Sequence, residues 1–449
     1  MNAYLHNTTN FKIVNIFLNV LAFWLKKRED YLMLKLLFNS IVKTNSSTQD
    51  TQKRFTMAIY AAMIAGACTF LNVYCTQPLL PYFQHLFNAS VFSVSLTVST
   101  VTLAVAIMAP FVGLFAETIG RKKVIVPALF TMAITTFLAA TASNLPTLIF
   151  WRFLQGLCVP GVIAVIIAYI NEEFPQRVGT VMSAYVSGTI LGGFIGRFLT
   201  GLIATHLNWQ TAFVTLGILN LLGAFAVRQW LPPAVNFTPA QHVLRSLGDT
   251  WGHLKNPRLL AVCGMGFTIL FSLVGVFTYA NFHLARPPFR LSPDALGSVF
   301  LVYLLGCIVT PLAGRFIDRY SFRRMALLSV SVTLTGLMLT LAPSLPMIIT
   351  GLAIFSSGIF VSQSSATILT GQVAQRARSA AAGLYVTFYY AGGSIGTMVA
   401  AWFWTKGGWS ACVGLFAMVS LSTLLFAFLG GRSLEKEDTT PGPLLDTAI

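Results

Sequence analysis

Apolar residues in this chain gather into runs near or above the roughly 20 residues that a helix needs to cross a bilayer, parted by short polar stretches. Twelve such spans are expected, at roughly 55–76, 91–115, 124–142, 147–170, 178–204, 209–231, 259–284, 295–315, 325–342, 346–370, 379–404 and 409–430. Pro232-Pro233 ends the sixth, and the polar stretch to Arg258 reads as a linker carrying a short surface helix over 241–255. The first 54 residues stand outside this plan. There, Phe11 to Leu25 is apolar for only 15 residues before Lys26-Lys27-Arg28, short for a span and without a small-residue cleavage site. That segment reads as interfacial, its basic residues facing anionic lipid, or as a stretch upstream of a start at Met33 or Met57.

Composition removes the soluble alternative. The 449 residues are 55% hydrophobic and 9% charged with a mean hydropathy of +0.74, whereas a soluble domain carries about 25% charged residues. The net charge of +16 is topological: 24 of the 29 Lys and Arg fall in the N-terminal segment, the tail and the loops on one side, against Arg286, Arg290 and Lys406 on the other. Positive loops face the cytoplasm, so both termini are expected there, in a multi-pass protein of the plasma membrane. A nucleic-acid partner would need a soluble basic face, which this pattern lacks. The six cysteines are scattered without CxxC spacing, and no metal or dinucleotide motif occurs, so neither metal nor cofactor is expected.

Shifted on itself by about 200 residues, the sequence repeats. Gly113-x-x-x-Glu117 falls near Gly314-x-x-x-Asp318, Arg121-Lys122-Lys123 near Phe322-Arg323-Arg324, Gly192-Gly193 on Gly392-Gly393, Gly196 on Gly396 and Trp209 on Trp409. The organisation expected is an extension (1–54), a six-helix bundle (55–231), a cytoplasmic linker (232–258), a second six-helix bundle (259–430) and a cytoplasmic tail (431–449). The fold class is an all-α integral membrane protein of two pseudo-symmetric six-helix bundles around a central cavity. Two similar halves that rock about a central site give access to one side at a time, which argues for a carrier.

The loop GLFAETIGRKK after the second span, its copy GRFIDRYSFRR after the eighth, and Arg152-Phe-Leu-Gln155-Gly156 in the fourth resemble the loop and fourth-helix motifs of the major facilitator superfamily. The run Gly188-x-x-x-Gly192-Gly193-x-x-Gly196-Arg197 is similar to its fifth-helix antiporter motif, with Gly193 in place of the usual proline and Arg197 in place of a second glycine. Among superfamily members the chain looks most like bacterial drug:proton-antiporter-like and sugar-efflux-like permeases. The resemblance implies a gate latch in the loop. Gly113 would admit close helix approach, Gly120 the tight turn, and Glu117 would pair with basic groups and the amino end of the eleventh helix near Arg378, alongside Arg121 and Lys122; Asp318-Arg319 would serve the other half, with Gly314 and Arg323.

All 13 acidic residues fall in loops, tails or membrane edges, and no span carries a carboxylate near its middle. Arg152 and Arg197, by contrast, lie inside spans four and five, where a charge normally faces a partner or a water-filled cavity. Either residue can also be held by backbone carbonyls or snorkel to an interface. Asn72 and Gln77 before Pro78, Gln155, Tyr279 and Asn281, Gln363, and Tyr385 and Tyr389 mark the polar lining of a cavity that the resemblance places between helices one, four, seven and ten, with five, eight and eleven contributing. The function expected is secondary active transport of a small organic solute by alternating access, as proton-coupled efflux, with Glu117, Asp318 or His283 carrying the proton and a monomer as the working unit. The alternatives are uptake or exchange of an organic anion at Arg152 and Arg197, and a non-transporting sensor. An embedded enzyme would need a convergent acid–base, nucleophile or metal set, and the titratable residues are too dispersed to form one.

Overall fold

A computed structural model describes residues 46–235, 252–306, 308–309, 322–373 and 378–431. The chain divides into Met1–Met57 and Ala58–Ile449. Of the smaller unit only the start of the first helix is described; the remaining helices all belong to the larger. The reading of residues 11–25, and those of Gly314, Asp318 and Arg319, fall outside the described residues.

The described residues are helical without a strand. The helices are α1 (Ser46–Val73), α2 (Leu80–Leu86), α3 (Val91–Ile119), α4 (Arg121–Ala140), α5 (Leu145–Cys158), α6 (Pro160–Glu173), α7 (Val178–His206), α8 (Trp209–Trp230), α9 (Pro257–Leu284), α10 (Pro293–Val299), α11 (Phe322–Leu339), α12 (Leu345–Val373) and α13 (Arg378–Gly431). Among the described residues, ten helical stretches are long and apolar enough to cross a membrane. Short polar caps start several of them: Asn144 accepts from Thr147 N at 2.9 Å and Asn208 from Thr211 N at 2.7 Å, satisfying donors that a helix start leaves open.

The last stretch is two crossings, because α13 bends at Gly407 and at Gly408, whose φ of 59° is left-handed and suits glycine. Its arms, 380–406 and 409–431, run antiparallel. Gly392 lies against the Phe267 backbone, while Thr423 of the second arm donates to Thr268 at 2.9 Å, so both arms pass the same level of α9. The helix α10 continues through a 3-10 segment, Phe300–Leu305, as the start of the eighth span.

The internal repeat is visible as contacts. A Cβ added at Gly192 or Gly196 would meet the carbonyl oxygens of Ala67 and Leu71 on α1; one added at Gly392 or Gly396 would meet those of Phe267 and Phe271 on α9, 200 residues on in each case. Trp209 packs on Phe83 at 5.4 Å between ring centroids, and Trp409 on His283 at 5.5 Å, the same pair in the second copy. The glycine seam thus brings α7 against α1 and the first arm of α13 against α9 at backbone distance.

The end of the molecule that holds the 120–123 turn is called the loop end and the opposite one the far end. Between described residues, the hydrogen bonds that join the two halves lie towards the far end. Gln77 Nε2 donates to Thr278 Oγ1 at 3.1 Å, the Ser99 and Thr397 hydroxyls bond to each other, and Thr205 Oγ1 accepts from Asp294 N at 3.1 Å. There α7 and α10 touch through backbone: a Cβ at Gly201 would collide with the Pro293 carbonyl oxygen, and one at Gly297 would stand 2.8 Å from that of Arg197.

Candidate functional site

The site begins with a proline. Pro78 has no N–H, so the end of α1 tightens, and Gln77 N donates to Tyr74 O at 3.1 Å instead of to Val73 O. This releases Val73 O. Arg152, on α5 and 0% exposed, takes it: its Nη2 donates to Val73 O at 2.7 Å, Nη1 to Asn72 O at 2.7 Å and to Gln155 Oε1, and Nε to Thr97 O at 3.1 Å. Gln155 Nε2 in turn donates to Asn72 Oδ1 at 3.1 Å and to Thr136 Oγ1 at 2.5 Å, and Thr136 to Asn72 Oδ1 at 3.0 Å. A charge at a helix centre costs about 2.5–3.5 kcal/mol on insertion scales. Hydrogen bonds from a charged donor return about 1.5–3 kcal/mol each. Four such bonds outweigh the cost, and Arg152 is a strut that ties α1, α3, α4 and α5 together.

Arg197 sits on the other side of the same 74–77 turn and is dressed differently. It is 3% exposed; Nε donates to Gln77 Oε1 at 2.7 Å and Nη1 to Gly193 O at 2.6 Å. Its guanidinium lies 4.8 Å from the Tyr74 ring centre, 4.5 Å from Phe300 and 4.9 Å from Tyr303. Such contacts return roughly 0.5–2 kcal/mol apiece without neutralising the charge. Arg197 has no ion-pair partner among the described residues, and its Nη2 neither bonds there nor belongs to the sealed, unpaired polar atoms of the interior. The hydroxyls of Tyr74, Tyr303, Tyr389 and Tyr390 share that condition. Tyr389 and Tyr390 pack at 5.4 Å, and both are within electrostatic reach of Tyr74.

The remaining expected residues divide. Gln77 joins the Arg197 group, and Tyr385 joins through its stack on Tyr389 at 5.9 Å. Tyr279 is buried and donates to Thr397 O at 2.8 Å, while Asn281 donates to Phe277 O of its own helix at 2.7 Å. Gln363 is half-buried on α12; its backbone oxygen accepts from Thr367 Oγ1 at 2.9 Å, and its side chain makes no bond between described residues. The sequence reading missed Thr136, Thr278, Phe300 and Tyr303. Aromatic residues in an apolar run carry no signal of their own; the contact of the two halves gives Thr278, Phe300 and Tyr303 their role, and Thr136 takes its own from Asn72 and Gln155 within the first half.

At the loop end, Gly120 turns the chain at φ 101° between α3 and α4. Arg121 is held by Glu172 through Nε–Oε2 at 3.1 Å and Nη2–Oε1 at 2.5 Å, and Lys122 donates to Leu231 O. Both partners belong to the first half. Glu117 is half-buried and has no ion pair between described residues; the Arg378 side chain lies outside them. A Cβ added at Gly113 would meet nothing within 4 Å among the described residues, so no close helix approach is made to them there. Arg323 is exposed, 6.0 Å from the Phe428 ring centre.

The sequence is 33% identical to an uncharacterized transporter of Buchnera aphidicola over 86% of this chain and 92% of that protein. It is 32% identical to the inner membrane transport protein YnfM of Escherichia coli over 88% and 94%. The fold superposes on the nucleoside transporter NupG with a TM-score of 0.69 at 15% identity, over 83% of this chain and 99% of the other. On the human organic anion transporter MFSD10 the values are 0.62 and 16%, over 83% and 99%. The model of the Major Facilitator Superfamily matches residues 62–286 and 281–446. With the repeat, the glycine seams and the loop in place, the chain belongs to the major facilitator superfamily: it is a multi-pass membrane transporter of small molecules and not an enzyme.

Proposed function

We propose that this carrier exports a small organic solute by alternating access, driven by the proton gradient, as a monomer of two bundles at 55–231 and 259–430 with both termini in the cytoplasm. The observation that carries the reading is the seam of the two halves at the far end, through Gln77–Thr278, Ser99–Thr397 and Thr205–Asp294. With positive loops inside, that end is the outer one, so the conformation is closed to the outside. The solute site lies on the inner side of this seam, around Arg197, Gln77 and the tyrosines of α13, where residues of both halves meet. Sealed inverted vesicles with an imposed proton gradient test the coupling. Uptake of a transported solute should rise with an acid interior and collapse with a protonophore; uptake indifferent to the gradient would remove proton coupling.

The 113–123 loop acts in this scheme as the latch of the inner face. The engagement of Lys122 within its own half and, among the described residues, the empty face at Gly113 and the absence of an ion pair at Glu117 all suit a latch that is undone. Glu117→Gln should leave expression unchanged and raise the labelling of single cysteines at the inner face. Unchanged labelling and transport would reduce the loop to topology. The lack of any carboxylate in mid-membrane supports a second reading, exchange of an organic anion, because Arg197 presents a donor edge near the centre that is free among the described residues.

A further inference from the structure

Resting on the carrier reading, we infer that Arg197 and the surrounding rings form a binding site for the carboxylate of a small aromatic acid. The two arginines of the membrane interior make the argument by contrast. Arg152 gives four hydrogen bonds and is accounted for by the fold. Arg197 gives two, with its Nη2 edge neither bonded between described residues nor sealed. A guanidinium presents five donors in a planar fork that matches a carboxylate edge to edge.

The architecture does not require this charge. The position 200 residues on is Thr397, which makes the corresponding far-end seam with Ser99 through a pair of neutral hydroxyls. The cation is therefore an addition to one side of a duplicated frame. Glu117, Glu172, Glu173 and Asp294 stand at the ends of the helices, so among the described residues a bound anion would meet no opposing carboxylate near Arg197. The same potential repels cations.

The charge count limits the ligand to a monoanion. A phosphate dianion would call for a second unfilled cation beside the first, and Arg152, the other arginine in mid-membrane, has four of its five donors occupied. The walls specify the body. Tyr74, Tyr303, Tyr389 and Tyr390 offer ring faces and unpartnered hydroxyls, which accommodate a flat unsaturated skeleton and donate to its oxygens. Because Tyr74 and Gln77 belong to one half while Phe300 and Tyr303 belong to the other, an anion held here is gripped by both, and opening the far end would strip two rings from the guanidinium.

The test is calorimetric titration of the full-length protein in lipid nanodiscs with benzoate and phenylacetate, against benzamide and benzylamine as neutral and cationic molecules of similar size. The acids should bind saturably, and the amide and amine should not. Arg197→Gln should weaken the acids at least tenfold, and Arg197→Lys should recover only part, because an ammonium lacks the fork. Should Arg197→Gln fail to fold, Tyr389→Phe and Tyr303→Phe, which keep the rings and remove the hydroxyls, should still weaken benzoate at least threefold. Benzamide binding as well as benzoate, or benzoate binding unchanged in the folded Arg197 variant or in both Tyr→Phe variants, would overturn the assignment. Flux of a neutral or cationic solute through proteoliposomes that ignore benzoate would also overturn it while leaving the carrier intact. Failure of the carrier itself reads differently: benzoate bound through Arg197 yet moved across no membrane would uphold the site and turn the protein into a sensor.

Discussion

Two arginines that look alike in sequence part company once Pro78 is taken into account. Both were legible as charges out of place, since the other charged residues of the spans, Arg228 and Arg315, stand at the span ends. Their difference was not legible, because it depends on which carbonyl the proline releases and which helix then passes it. Val73 O and Asn72 O fall beside α5, so Arg152 becomes a strut; Arg197, one turn further along the chain's break, meets rings instead. Arg152→Ala should therefore lower the unfolding free energy by about 3 kcal/mol or more, read as a fall in melting temperature in detergent, since it strands several buried acceptors. Arg152→Lys should recover little of it, as one ammonium cannot reach the carbonyls of α1 and α3 together. A melting temperature unchanged in Arg152→Ala would deny the strut. Glu172 was missed for a simpler reason. Its partner Arg121 stands 51 residues away, and nothing local links them.

At the scale of helices the sequence was a better guide, because spans, turns and seams depend on short-range patterns. The apolar runs gave the crossings, the every-fourth-residue glycines gave α7 its seam with α1, and the shift of 200 residues placed the second seam on α13. What it could not give was the partner of each glycine or the state of the carrier. These seams predict a sharp contrast. Gly192→Leu and Gly392→Leu should each cost about 1–3 kcal/mol or prevent assembly, because the added atoms run into backbone oxygens that cannot move aside. Gly113→Ala meets nothing and should be neutral or stabilising by up to about 1 kcal/mol through helix propensity alone. Melting curves of the three proteins in one detergent would check the order.

For the molecule as a whole, Gly113 and Gly201 are the informative pair. Gly201 is pressed against the Pro293 backbone at the far end, while Gly113 near the loop end meets no described residue. If the halves rock, a bulky residue at Gly201 forbids the conformation described here, and one at Gly113 forbids its counterpart. A likeness to known transporters gives the fold and the family, but only motion at two ends in opposite senses makes a carrier. Spin labels on the exposed residues Leu207 and Arg290 report the far end, and labels on Gln176 and Gln372 report the loop end. Pulsed electron resonance distances across both pairs, in the wild type, Gly201→Leu and Gly113→Leu, are the most direct test. Gly201→Leu should lengthen the far-end distance and shorten the loop-end one, and Gly113→Leu should do the reverse. Distances that stay fixed in both variants, or that change at one end without the opposite change at the other, would contradict alternating access in this protein.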